Sequence, residues 1–156
     1  MNELHMKILT IIIIVAFPMI TNAQDTDGEI SVYSRAIRDF ISYRQSHGMS
    51  SSFYLEAVRG IEHELFNDGI KDDGVTLINY KNQKQIYRQN NNKLTHHVIF
   101  PAKVKNDQLK ITITPYHDTR KGSSYNLLVS DEYDVIYKFN CESGQYEFEK
   151  IEEWGI

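Results

Sequence analysis

This chain of 156 residues contains one cysteine and three prolines, and neither sign of charge is in large excess. The single cysteine excludes an intramolecular disulfide framework, and no cysteine–histidine spacing resembles a zinc finger. The net charge of −4 lacks the basic excess that is typical of nucleic-acid-binding proteins. The 41% apolar and 12% aromatic content argues against disorder. We therefore expect a globular protein with no nucleic-acid partner.

Long apolar runs are also missing, with one short exception near the start. Residues 8–17 form a run of ten, broken only by Thr10, whereas a bilayer-spanning helix needs about 20. Lys7 precedes the run, and the small-residue triplet 21–23 follows it. A basic start, an apolar centre and a small-residue end are the three parts of a secretory signal peptide.

We expect residues 1–23 to be removed as a signal peptide, which leaves residues 24–156 as a single domain without a membrane span. The alternative is a membrane anchor that stays attached. Translation starts at Met1 or at Met6, since Lys7 follows Met6 directly. The predicted location is the periplasm or the extracellular medium.

Two segments after the leader have helical spacing. The first predicts a helix that ends near Gly48, and the second predicts a helix over residues 52–66, with a short strand over 53–55 as the alternative. Gly60 weakens the second helix. The apolar face of the first helix consists of Ile30, Tyr33, Ile37, Phe40 and Ile41.

Beyond Gly74 the apolar residues alternate with a period of two, which is typical of strands with one buried face. The clearest stretches are 94–105, 109–114, 125–129 and 133–141, and the segment before them is a strand or a hairpin. Short connections favour antiparallel neighbours. The predicted class is α+β: two N-terminal helices packed on one face of an antiparallel meander sheet of about five to six strands.

The last two strands predict a specific hairpin. A two-residue turn at Ser143-Gly144 aligns apolar residues on one side and opposite charges on the other. Ile151 breaks the alternation, so we expect a bulge near Lys150 and expect Trp154 to cover the end of the core. The pairs are Cys141 with Tyr146, Phe139 with Phe148 and Lys138 with Glu149.

Cys141 and the two adjacent histidines are the first candidates for chemistry. Cys141 is in phase with the apolar residues of its strand, which predicts an inert buried thiol rather than a nucleophile or an intermolecular bridge. His96 is in phase with the core, whereas His97 is in phase with lysines and is expected at the surface. Neighbouring strand residues point to opposite faces, so the pair cannot bind one metal ion without a bulge in the strand.

No zinc-protease, nucleophile-elbow or phosphate-loop motif occurs in the chain. We therefore assign no catalytic residue, no metal ligand and no cofactor. A small envelope hydrolase or metal-dependent enzyme that uses His97 and His117 with nearby carboxylates stays open as an alternative. The 12% aromatic content leaves a glycan- or lipid-binding module as a further one, although most aromatic residues follow the core periodicities.

Charge is unevenly distributed along the chain. Residues 81–121 contain nine lysines and arginines against two aspartates, and residues 131–153 contain eight acidic residues against two lysines. Either neighbouring strands cancel these charges, or the surface has a basic and an acidic region that recognise a charged partner. The predicted partner contacts are His97, Lys103, Lys105, Lys110, Arg120, Lys121, Asp134, Glu147 and Glu149.

The C-terminal half carries one resemblance. The stretch ITITPYHDTRKG and the ending YKFNCESGQYEFEKIEEWGI resemble small exported proteins of Bacteroidota-type bacteria. That group has no assigned activity, so the resemblance implies export and no functional residue.

Together these features predict a non-catalytic exported protein that acts by contact with a charged protein partner. An inhibitor or immunity protein that neutralises a toxin or hydrolase fits the size, the export signal and the absence of a catalytic motif.

Overall fold

The computed structural model describes residues 30–155, apart from 59, 68, 122–123 and 130. The predicted signal peptide therefore lies outside the described residues. The helices are α1 (Val32–Ser46), α2 (Glu62–Asn67) and α3 (Gln83–Gln89), with a 3-10 turn at Ile70–Asp73. The strands are β1 (Phe53–Ala57), β2 (Val75–Ile78), β3 (Lys93–Ile99), β4 (Lys103–Lys105), β5 (Gln108–Lys121), β6 (Ser124–Val129), β7 (Asp131–Asn140) and β8 (Gln145–Gly155).

These strands form one mixed sheet in the order β2-β1-β3-β5-β7-β8, and β4 and β6 also pair with β5. β1 is parallel to both of its neighbours, β2 and β3. The remaining described pairs are antiparallel. β5 has 14 residues, so β3 and β4 share one of its edges while β6 and β7 share the other. β5 is the central strand of the sheet.

Two β-α-β crossovers place helices on both faces of this sheet. β1 connects to β2 through α2, and β2 connects back past β1 to β3 through α3. Crossovers between parallel strands are almost always right-handed, so a reversal of direction moves the second helix to the opposite face. The packing agrees, because Leu65 of α2 shares a core with α1, whereas Ile86 and Tyr87 of α3 belong to a separate cluster.

We call the two sides of the sheet the α1 face and the α3 face. Fully buried side chains on the α1 face include Ile37, Phe40, Leu55, Ile111 and Val135. The smaller cluster on the α3 face consists of Ile78, Ile86, Tyr87 and Leu94. α3 has only seven residues and its cluster extends no further than β3. Among the described residues, the apolar cluster of α3 includes no side chain of β5 or β7, and Tyr87 reaches β5 through a hydrogen bond to Asp118.

The expected architecture is wrong. The sheet is mixed rather than an antiparallel meander, it has eight described strands rather than five to six, and helices lie on two faces rather than one. Apolar alternation identifies the buried face of a strand but does not determine whether its neighbour is parallel. α3 was missed because only two of its side chains, Ile86 and Tyr87, are buried, too few to produce a helical period.

The first predicted helix is confirmed as α1, and the second is wrong over most of its length. Ser31 caps α1 by accepting a hydrogen bond from the Ser34 amide at 3.2 Å, and Gly48 follows the helix with φ of 70°. Residues 53–57 are strand β1, with Phe53, Leu55 and Ala57 buried. The alternative prediction of a short strand over residues 53–55 covers part of this strand. Gly60 has φ of 105°, a conformation that a helix interior does not allow.

The terminal hairpin has the predicted bulge but a different register. The turn spans four residues rather than two, so Phe139 pairs with Tyr146 and Lys138 with Glu147. Because the shift is two residues, each side chain stays on its predicted face. The register irregularity lies between Ile136 and Tyr137, opposite Lys150, which confirms the bulge.

Two expectations for this end of the molecule are wrong. Cys141 is an exposed free thiol in the turn, since the strand ends one residue earlier at Asn140. Trp154 is 53% exposed rather than buried over the core. It lies on the edge strand β8, on the α3 face, and its indole nitrogen donates to Asp134 Oδ2 at 3.1 Å.

Candidate functional site

The residues predicted to contact a partner are spread over five strands. Lys110 Nζ lies 2.8 Å from Asp134 Oδ2, and Lys103 is opposite Lys110 in the register of β4 and β5, so these three come together on the α3 face. The others lie apart: His97 on β3, Lys105 on β4, Arg120 and Lys121 at the far end of β5, and Glu147 and Glu149 on β8.

Asp134 differs from the other charged candidates because its side chain is buried. It accepts hydrogen bonds from Thr112 Oγ1 at 2.7 Å and from Trp154, in addition to the Lys110 ion pair. A carboxylate with three donors is fully satisfied inside the protein. Its position indicates that it organises β5, β7 and β8 rather than presenting a charge to solvent.

His97 is also buried, so its predicted surface position is wrong. The ring packs against Phe40 and Phe53 on the α1 face, with Nε2 3.2 Å from Arg44 Nη1. Burial, followed by the neighbouring Arg44 charge, lowers the pKa of His97 to about 3. The imidazole is therefore neutral at ordinary pH, and the surface prediction is wrong because α1 covers the face of β3 that carries His97.

His117 lies on the α1 face of β5, where its exposed ring is 2.9 Å from Thr95 Oγ1. Its register partner is Thr95, two residues before His97. Within the part of the chain that the structure describes, no three His, Cys, Asp or Glu side chains are arranged to hold a metal ion.

The α3 face contains a cavity of about 420 Å³ built around His96. His96 Nε2 lies 3.3 Å from Glu56 Oε2 of β1, and its Nδ1 lies 3.3 Å from Asp118 Oδ2 of β5. The Tyr87 hydroxyl of α3 donates to the same Asp118 oxygen. The imidazole is therefore held between two carboxylates, one of which is fixed by a phenol.

A second cavity of about 420 Å³ adjoins the first along the sheet, and the side chains of Phe100 and Tyr116 line both. We call the two cavities together the α3-face groove. Its far end is lined by Lys103 and Lys110, and the buried Thr114 Oγ1 there has no hydrogen-bond partner among the described residues. The groove thus changes from acidic at one end to basic at the other.

Exposed apolar side chains border the groove on the β6 side. Leu127 is 53% exposed and lines the first cavity, and Val129 is 37% exposed and lines the second. They lie opposite Asp118 and Tyr116 in the register of β5 and β6. An apolar rim beside buried polar groups is typical of a recognition surface.

The described lining of the first cavity includes no serine, threonine, cysteine or lysine, the side chains most often used as covalent nucleophiles. Its carboxylates and imidazole can hold a proton or a positive charge, and its aromatic rings can stack on a planar group. The arrangement is suited to recognition.

Sequence reasoning missed most of this site. The sequence predicts Glu56 in a helix, Tyr87 in a strand or a hairpin, and His96 as a core histidine. One signal was available: His96 and Phe100 share the phase of β3, while Tyr116 and Asp118 share that of β5. Two in-phase polar residues on neighbouring strands mark a polar patch on one sheet face.

No family model, no curated protein and no solved structure matches this chain. Among the described helices, none has the length and apolar character required to cross a membrane. The proposals below therefore rest on the geometry of the groove.

Proposed function

We propose that this protein is an exported, non-catalytic binding protein that recognises a protein partner through the α3-face groove. The observation that carries the proposal is the pair of adjoining cavities on the α3 face of the sheet, the first of which has Gln83 and Tyr87 of α3 in its wall. An inhibitor or immunity protein that covers a toxin or hydrolase is one form of this function.

The composition of the groove supports recognition of a protein. Phe100 and Tyr116 occupy its centre, Leu127 and Val129 form an exposed apolar rim, and charged side chains lie at both ends. Protein interfaces commonly combine central aromatic anchors with a polar surround. In this proposal an extended segment of the partner runs along the sheet, and its successive side chains occupy the two cavities.

β6 offers a matched pair of positions to test this surface. Leu127 and Leu128 are adjacent, apolar and similarly exposed, at 53% and 62%, but successive strand residues point to opposite faces. Leu127 lines the groove, whereas Leu128 lies on the α1 side of the strand, opposite His117.

The experiment places the photo-crosslinking residue benzoylphenylalanine at position 127 or at position 128 and irradiates cells that export the protein. We expect a discrete protein adduct from position 127 and none from position 128. With the adduct partner purified, Leu127→Asp should weaken binding at least tenfold, while Leu128→Asp should change it less than twofold. Equal adducts from both positions, or none from 127, contradict the proposal.

A further inference from the structure

The acidic end of the α3-face groove has more negative charge than its own residues compensate. Glu56 and Asp118 both face His96, and a single imidazole neutralises at most one carboxylate. Among the described residues, neither carboxylate forms an ion pair with a lysine or an arginine. One negative charge at this end of the groove therefore has no basic partner within the described part of the chain.

Asp118 adds a second observation that is independent of the charge count. Its side chain lines the first cavity and the residue is 4% exposed, yet Oδ1 has no hydrogen-bond partner among the described residues. His96 Nδ1, also buried, is likewise unpartnered by hydrogen-bond geometry despite its 3.3 Å approach to Oδ2. Buried polar atoms are normally satisfied, and an unpaired buried carboxylate is costly. The cavity floor is therefore preorganised for a cation.

The walls of the cavity select the shape of that cation. Tyr116 stacks on His96 with ring centroids 5.9 Å apart and an interplanar angle of 21°, and Phe100 lies beside them. Glu56 lies at the mouth with its side chain 43% exposed, so it can bond directly to a ligand. Guanidinium groups combine stacking on aromatic rings with paired hydrogen bonds to a carboxylate.

We propose that the first cavity binds the guanidinium group of an arginine side chain presented by the protein partner. Glu56 accepts its hydrogen bonds, the buried Asp118 supplies the attracting charge, and Tyr116 and Phe100 hold its plane. The lysines at the other end of the groove disfavour a cation there. This inference rests on the proposed function and names the chemical group that the partner inserts.

Three small probes test the cavity without the partner: N-acetyl-arginine methylamide, its lysine counterpart and its citrulline counterpart. Citrulline has nearly the shape of arginine but no charge. We expect the arginine probe to produce saturable NMR shifts at Tyr116, Leu127 and the His96 ring. The citrulline probe should produce none, and the lysine probe should bind at least threefold more weakly than arginine.

Glu56→Gln removes the accessible carboxylate and should weaken arginine binding at least fivefold. Glu64→Gln is its control, since it makes the same charge change on exposed residue 64 of α2 and should leave binding within twofold. Glu56 is only half-buried, so the variant is expected to fold even where Asp118→Asn does not. Shifts confined to residues outside the groove overturn the inference.

The probe and crosslinking experiments separate the two proposals. Specific adducts from position 127 with equal binding of arginine and citrulline contradict the arginine inference and leave the binding function standing. Tighter binding of lysine than of arginine also overturns the inference. The absence of adducts from position 127 overturns the proposed function whatever the probes do.

Discussion

His96 and His97 are neighbours in the chain but lie in opposite environments. His96 faces two carboxylates on the α3 face, and His97 packs between aromatic rings and Arg44 on the α1 face. Strand alternation separates them, and cover on both sides of β3 buries both, at 3% and 4% exposure. Their sequence adjacency therefore has no direct chemical meaning.

His97 should make the stability of the protein depend on pH. Its pKa is lowered from 6.5 to about 3 by burial and by Arg44, so below pH 6.5 the unfolded chain binds a proton that the folded protein does not. The contribution of His97 to the free energy of unfolding is therefore fully present above pH 6.5 and is lost as the pH decreases towards 3. Urea unfolding should show a loss of about 2 kcal/mol from this residue between pH 8 and pH 5.

The measured quantity is the difference in this loss between the protein and its His97→Gln variant. Glutamine does not titrate and can still accept a hydrogen bond from Arg44, so the variant should lack the contribution. His47→Gln is the control, because His47 is an exposed residue next to α1. An unchanged pH slope in His97→Gln would show that His97 does not remain neutral in the fold.

At the scale of elements, the hairpin of β7 and β8 allows a direct test of register. Lys138 is opposite Glu147, whereas a two-residue turn would have placed it opposite Glu149. In a Cys141→Ser background, Lys138→Cys with Glu147→Cys should form a disulfide on oxidation, because opposite strand residues are within bridging distance. Lys138→Cys with Glu149→Cys should stay reduced. Gel mobility and mass spectrometry distinguish the two, and the reverse result would favour the two-residue turn.

The hairpin also shows what alternation can and cannot predict. The apolar period identified which side chains of β7 and β8 share a face, and it identified the bulge near Lys150. It did not determine the turn length, because a shift of two residues preserves every face. Alternation also does not show where a strand ends: the apolar phase of β7 predicts a buried Cys141, but the strand ends one residue earlier at Asn140.

β1 and α3 account for the missed part of the candidate site. Tyr54, Val58, Ile61 and Leu65 have helical spacing by coincidence. Tyr54 lies in strand β1 and Val58 follows it, whereas Ile61 precedes α2 and Leu65 lies in α2. The turn before α3 is held by local hydrogen bonds of polar residues: the Asn79 amide donates to Asn82 Oδ1 at 2.8 Å, and Asn82 Nδ2 donates to Leu77 O at 2.8 Å. Such hydrogen bonds produce no apolar period. Glu56 and Tyr87 lie on these two elements, so the sequence did not bring them to His96.

For the whole molecule, the uneven charge along the chain is partly neutralised by the sheet order. β5 belongs to the basic stretch and β7 to the acidic one, and they are neighbours. Lys110 of the basic stretch pairs with Asp134 of the acidic one at 2.8 Å, whereas the Lys138–Asp107 pair, at 3.9 Å, joins the minority charge of each stretch. Of these two pairs, Lys138–Asp107 is exposed on both sides, and exposed pairs contribute about 0–1 kcal/mol to stability. The contrast that survives folding is local: acidic and basic ends of a single groove.

Export is a prediction about the whole chain, and it has a direct test. A signal peptide is cleaved after a small residue, which predicts a mature protein that begins at Gln24 and keeps Ser31, the N-cap of α1. Intact mass measurement of the exported protein should give the mass of residues 24–156. Ala23→Arg should prevent cleavage and leave the precursor in the membrane fraction, while Ala16→Leu, within the apolar run, should leave cleavage unchanged. A mature protein that retains residues 1–23 would favour an anchored protein instead, and its groove would then act close to the membrane surface.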